Sequence, residues 1–152
     1  MRRFLIMLLL LAVLPALADG SEKGRIVKVL PLFLDLKGHE ALSPSLYDRD
    51  AYQAYLRQHT NEISAIRFDC LWQIENPADA KYKLRVELRG IGAEGKPTQT
   101  LLEQEVNPPL LRRWTALTLG GAEYRNFGEM VAWRATLWRG DQLLSEQKSF
   151  LW

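Results

Sequence analysis

The segment IRFDCLWQIE, residues 66–75, sets Ile66, Phe68, Cys70, Trp72 and Ile74 on one side of an extended chain and Arg67, Asp69, Gln73 and Glu75 on the other. A period of two belongs to a half-buried β-strand; a helix would scatter the same side chains around its whole circumference. KYKLRVELRG, residues 81–90, repeats the pattern, with Tyr82, Leu84, Val86 and Leu88 inward and Lys81, Lys83, Arg85, Glu87 and Arg89 outward. Strands with one apolar face need a second layer to cover it, which confines the chain to a layered β fold. Between the two runs, ENPADA carries Asn-Pro and Asp and predicts a hairpin.

Further strands are predicted at Thr98 to Val106, Trp114 to Leu119, Met130 to Trp138 and Leu143 to Leu151, separated by Gly, Pro or Asn clusters. GRIVKVLPLFLDLKG is long and apolar, but Pro31 has no N–H for a ladder. It reads as an edge strand bent at Pro31. One helix interrupts the series, from about Leu46 to His59. Ser45 with Asp48 three residues on forms its N-cap signature, and Tyr47, Ala51 and Tyr55 recur at four-residue spacing. A shorter helical turn is predicted in AEYRNFG, with Gly128 as its stop.

The N-terminus has the form of a secretory signal peptide. Two arginines precede an apolar run from Phe4 to Leu14, then Pro15 and the small-x-small triplet Ala16-Leu17-Ala18, so cleavage is expected after Ala18. The run is shorter than the ~20 residues of a bilayer-spanning helix. The expected domains are a signal peptide, 1–18, and one sandwich domain, 19–152. Loss of Arg2 and Arg3 lowers the 20 basic residues to 18, which equals the 18 acidic ones. A neutral mature chain has no electrostatic footprint for nucleic acid or an anionic membrane. Cys70, the only cysteine, has no intramolecular disulfide partner and reads as a small core residue, so burial must hold the fold together.

About seven strands with inward tryptophans favour an all-β, two-sheet antiparallel immunoglobulin-like sandwich, with Trp72 and Trp133 as core aromatics. Tyr124 stands near the tyrosine-corner position of such folds. SPSLYDRDAYQAYLRQH, IRFDCLW, KLRVELRG and VAWRATLWRGDQLLSEQKSFLW resemble segments of small uncharacterised exported bacterial proteins with an immunoglobulin-like or fibronectin-III-like sandwich. The resemblance covers most of the mature chain, implies fold and compartment, and transfers no catalytic motif.

His39 follows Gly38 in a polar loop, and His59 closes the helix, where its cationic form suits the C-terminal dipole. Neither has a partner at metal-ligand spacing. The carboxylate pairs Asp48/Asp50 and Glu103/Glu105 read as a helix's first turn and the outward face of a strand. The basic stripe Lys81, Lys83, Arg85 and Arg89 reads as a solvated sheet face partly paired with Glu103 and Glu105. Trp114, Trp138 and Trp152 fall near strand ends, either closing the core or forming a binding platform. Arg139-Gly140-Asp141 resembles an adhesion tripeptide, but Gly140-Asp141 also suits a two-residue primed hairpin turn. The expected protein is a periplasmic or secreted, non-catalytic module without cofactor or metal. It is expected to bind a protein or envelope component, and neither nucleic acid nor, after signal cleavage, the membrane interior. The alternatives are a small outer-membrane β-barrel and a carboxylate-dependent hydrolase.

Overall fold

A computed structural model describes residues 22–152, so the expected signal peptide, with Ala16 and Ala18, lies outside the described residues. The strands are β1 (Lys23–Asp35), β2 (Ile63–Glu75), β3 (Tyr82–Ile91), β4 (Pro97–Val106), β5 (Arg113–Gly120), β6 (Glu129–Arg139) and β7 (Gln142–Lys148). Helix α1 (Leu46–Gln58) joins β1 to β2, and α2 (Gly121–Phe127) joins β5 to β6. All pairings are antiparallel, in a three-stranded sheet β1-β2-β5 and a four-stranded sheet β4-β3-β6-β7. This is the expected immunoglobulin-like sandwich with one inserted helix. β1, β5, β4 and β7 each pair on one side only, so the strands form two open sheets and no closed barrel.

The alternating strands meet as their pattern requires. Phe68, Cys70 and Trp72 from β2 and Leu84, Val86 and Leu88 from β3 are buried in one cluster between the sheets. The indole N–H of Trp72 donates to Thr115 Oγ1 at 2.9 Å, which satisfies the one polar group the ring carries into the core. Trp133 is half-buried and packs tilted against Phe68, ring centroids 6.1 Å apart. Burial pushes the Cys70 thiol up to about 12, as befits a core residue rather than a nucleophile.

Four expectations need correction. β2 and β3 do not form a hairpin: β2 pairs with β1 and β5, β3 with β4 and β6, and the ENPADA segment carries the chain from one sheet to the other. Turn residues specify a reversal but not its plane, and two apolar faces are covered equally well by stacking across layers. β1 is an edge strand, but its ladder is regular at Pro31, which pairs with Phe68; the irregularities lie between Ile26 and Lys28 and between Leu34 and Asp35. β7 ends at Lys148: the Ser149 N–H still donates to Trp133 O of β6, but the chain then turns, the Trp152 N–H donating to Ser149 O. Tyr124 lies inside α2 and packs its ring on the core, and no hydrogen bond of its hydroxyl is present among the described residues.

The helices sit at one end of the sandwich. Ser45 caps α1 by accepting from the Asp48 N–H at 3.4 Å, as expected. The buried face of α1 is not the Tyr47, Ala51, Tyr55 stripe, since Tyr47 and Tyr55 are exposed; Gln53 and Leu56 are buried instead. α2 ends at Gly128, whose φ of 82° stops the helix where expected.

Candidate functional site

A sandwich of two open sheets has two lateral sides, each exposing unpaired backbone unless something covers it. On one side β1 faces β7. Ile26 turns its N–H and C=O away from β2, and side chains of β7 meet both: Ser145 Oγ accepts from the Ile26 N–H at 2.9 Å, and Gln147 Nε2 donates to Ile26 O at 3.0 Å and Val27 O at 3.1 Å. Gly24 permits this approach, since a Cβ there would lie 2.8 Å from Leu144 Cβ.

Further along β1, α1 completes the seal. Gln53 is 3% exposed, and its amide copies a neighbouring strand: Oε1 accepts from the Phe33 N–H at 2.8 Å, while Nε2 donates to Phe33 O and Glu40 O at 2.9 Å each. Asp35 then fastens the end of the strand. Its Oδ1 accepts the N–H groups of Lys37 and His39 at 2.8 Å, and its Oδ2 accepts the Tyr52 hydroxyl at 2.9 Å. Burial raises the Asp35 pKa, but these donors and the His39 charge outweigh it and hold the carboxyl below its ordinary value. In a polar helix sequence Gln53 looks like a solvent-facing residue, so no local pattern marks its role.

The opposite side, β5 with β4, has no such cover among the described residues. Backbone groups alternate in direction along an antiparallel strand. Ile26 and Phe33 face away from β2, so their partners Trp72 and Ile66 face β5, and Arg113, Thr115, Leu117 and Leu119 bond back to β2. The N–H and C=O groups of Trp114, Ala116 and Thr118 therefore point outward, and no hydrogen bond among the described residues reaches them. WTALTL contains no Lys, Pro or bulge, the devices that blunt exposed edges. Trp114 is 49% exposed on the outer face beside its partner Leu71, and the β4–β5 connection presents Leu110 and Leu111 in solvent next to it. Of the three tryptophans noted in the sequence, only Trp114 joins this surface.

The other residues singled out by sequence are engaged elsewhere. The basic stripe lies on the outer face of the four-stranded sheet in a network with acids. Lys83, at 3.0 Å, and Arg85 both bind Glu103, and Lys81 reaches Glu105 at 3.9 Å. Lys83 first and then Arg85 hold the Glu103 carboxyl below its ordinary value. Arg85 covers the ring of Trp138 at 5.1 Å, while Arg89 and Arg134 cover Trp152 at 4.0 and 4.9 Å. Arg139 pairs with Gln142, leaving Gly140-Asp141 as the two-residue turn, with Gly140 at φ 52°. The Arg139 guanidinium is bound to Glu22 and Gln142, which takes it out of any adhesion tripeptide.

His59 caps α1, its Nδ1 2.9 Å from Tyr55 O and its ring stacked on Tyr55 at 3.9 Å; His39 lies 3.5 Å from Asp35. Asp48 and Asp50 sit at the start of α1, and Asp48 lines a groove with Tyr52 and Tyr55; Glu103 and Glu105 lie on β4, and Glu105 lines a different groove with Arg113 and Trp114. Among the described residues no group of three or more His, Cys, Asp and Glu could hold a metal ion, and no helix is long and apolar enough to cross a membrane. No family model matches the chain, and no curated protein or solved structure matches it either.

Proposed function

We propose that the protein is an exported, non-catalytic binding module that takes an extended segment of a protein partner along β5. The outward backbone groups of Trp114, Ala116 and Thr118 carry this reading, because they offer an added strand a ladder already oriented by β2. Main-chain bonds would supply affinity with little sequence preference. Trp114, with Leu71 beside it and Leu110 and Leu111 at one end, would add preference for apolar side chains on alternate positions of the partner. The neutral mature charge fits a partner recognised by backbone and apolar contact rather than by a field. Export rests on the N-terminal signal sequence and puts the partner in the periplasm or outside the cell.

The test uses Ala116→Pro, which deletes one outward N–H without touching the bonds of Thr115 or Leu117 to β2. Envelope extract is passed over immobilised wild type and variant, with sedimentation of each protein alone. The expected result is a monomer whose wild type retains a partner that Ala116→Pro loses. Recovery of the same proteins by both, or a wild-type dimer that the variant dissolves, overturns binding of a partner segment at β5.

A further inference from the structure

At the helical end of the sandwich, a groove of about 750 Å³ opens between α1 and α2, within the ~300–1,000 Å³ typical of small-molecule sites. Its floor is apolar. Phe33, Tyr124 and Met130 pack on the main core from this end, and Ile63 is buried beside them. Its polar lining includes two arginines from different helices, Arg57 of α1 and Arg125 at the end of α2. Arg57 lies over the Phe33 ring, 5.9 Å from the centroid, so one residue joins cation and floor.

Neither arginine has a carboxylate within ion-pair distance among the described residues, in contrast to Arg67, Arg85, Arg134 and Arg139. Glu129 is the only acid in the lining among the described residues, against the two arginines. Such a site disfavours a purely hydrophilic anion, which would leave the floor wet, and a neutral lipid, which would leave both forks unused. Guanidinium forks match a planar carboxylate, and the floor suits an alkyl chain.

We propose that this groove binds a long-chain fatty acid, its carboxylate between Arg57 and Arg125 and its chain along Phe33, Ile63, Tyr124 and Met130. No residue of β4 or β5 lines the groove, so the site stands or falls independently of partner binding at the open edge.

Titration calorimetry of the mature protein with palmitate, hexadecanol and inorganic phosphate tests it. Palmitate is expected to bind saturably at one site. Hexadecanol, and palmitate with the Arg57→Gln/Arg125→Gln double variant, are each expected to bind at least about ten-fold more weakly, the loss of a charge-assisted contact. Both arginines are exposed, so the variant should melt at the wild-type temperature. Three outcomes overturn the proposal: no saturable palmitate binding, undiminished binding by the folded double variant, or phosphate displacing palmitate with comparable affinity.

Discussion

The two lateral sides of the sandwich treat the same problem in opposite ways. Along β1, three polar side chains, Gln53 from α1 and Ser145 and Gln147 from β7, take up the backbone groups of Ile26, Val27 and Phe33. Along β5, those of Trp114, Ala116 and Thr118 have no partner among the described residues, and Leu71 lies beside Trp114. Edge strands are dangerous because they pair indiscriminately. The fold seals one side in such detail and leaves β5, and β4 beside it, without a partner strand among the described residues. Both outer faces carry ion pairs, linked ones on the four-stranded sheet and Arg67–Asp69 on the three-stranded sheet, where Leu71 and Trp114 lie at one end of β5.

The largest effect is expected on the sealed side. Gln53→Leu keeps the bulk but strands the Phe33 N–H, Phe33 O and Glu40 O in a buried position; stability should fall by ~3 kcal/mol in chemical denaturation at unchanged m-value. A loss near zero would mean that the seal contributes nothing. Gly24→Val drives a side chain into Leu144, and the edge must part from β7; a cost of about 2 kcal/mol is expected from thermal melts.

Acid should loosen the same side next. Asp35 has its folded pKa below the ordinary 3.8, so its stabilisation is complete above that value and disappears as pH falls through the folded pKa. Asp35→Asn should flatten the acid limb of a stability–pH curve, and an unchanged limb would remove Asp35 from the seal. The smallest effect on stability belongs to the open edge. Ala116→Pro should cost less than about 1 kcal/mol, since no intramolecular ladder bond is lost. A large loss there would show that the Ala116 N–H is already paired.

The sheets were readable in the sequence and the edges were not. Period-two alternation in residues 66–75 and 81–90 is set by the pleat itself, so it gave the inward faces of β2 and β3, and Phe68, Trp72 and Val86 are buried as their parity requires. The same alternation is silent on which strands are neighbours, which is why the segment joining β2 to β3 looked like a hairpin. Helix α1 was readable from its cap, but its docking face was not. The Tyr47, Ala51, Tyr55 spacing marks the helix and not its buried face, and the helix is anchored through the Gln53 amide to backbone twenty residues away. The SFLW ending continued the strand pattern, yet Phe150 is exposed and Trp152 folds under two arginines. The open edge left one trace, the absence of Lys and Pro from WTALTL, which acquires meaning only once β5 is known to be terminal in its sheet. Arg57 and Arg125 are 68 residues apart in the chain and are brought to one groove only by the topology.

Residue-resolved amide hydrogen exchange on the isolated mature protein compares both edges in a single experiment. With one side sealed and the other open, the Ile26 and Phe33 amides exchange slowly alongside Thr115, Leu117 and Leu119, while Trp114, Ala116 and Thr118 exchange orders of magnitude faster. Protection of Ala116 and Thr118 in the monomer, or rapid exchange at Ile26 and Phe33, would contradict the division of the molecule into a closed and an available side.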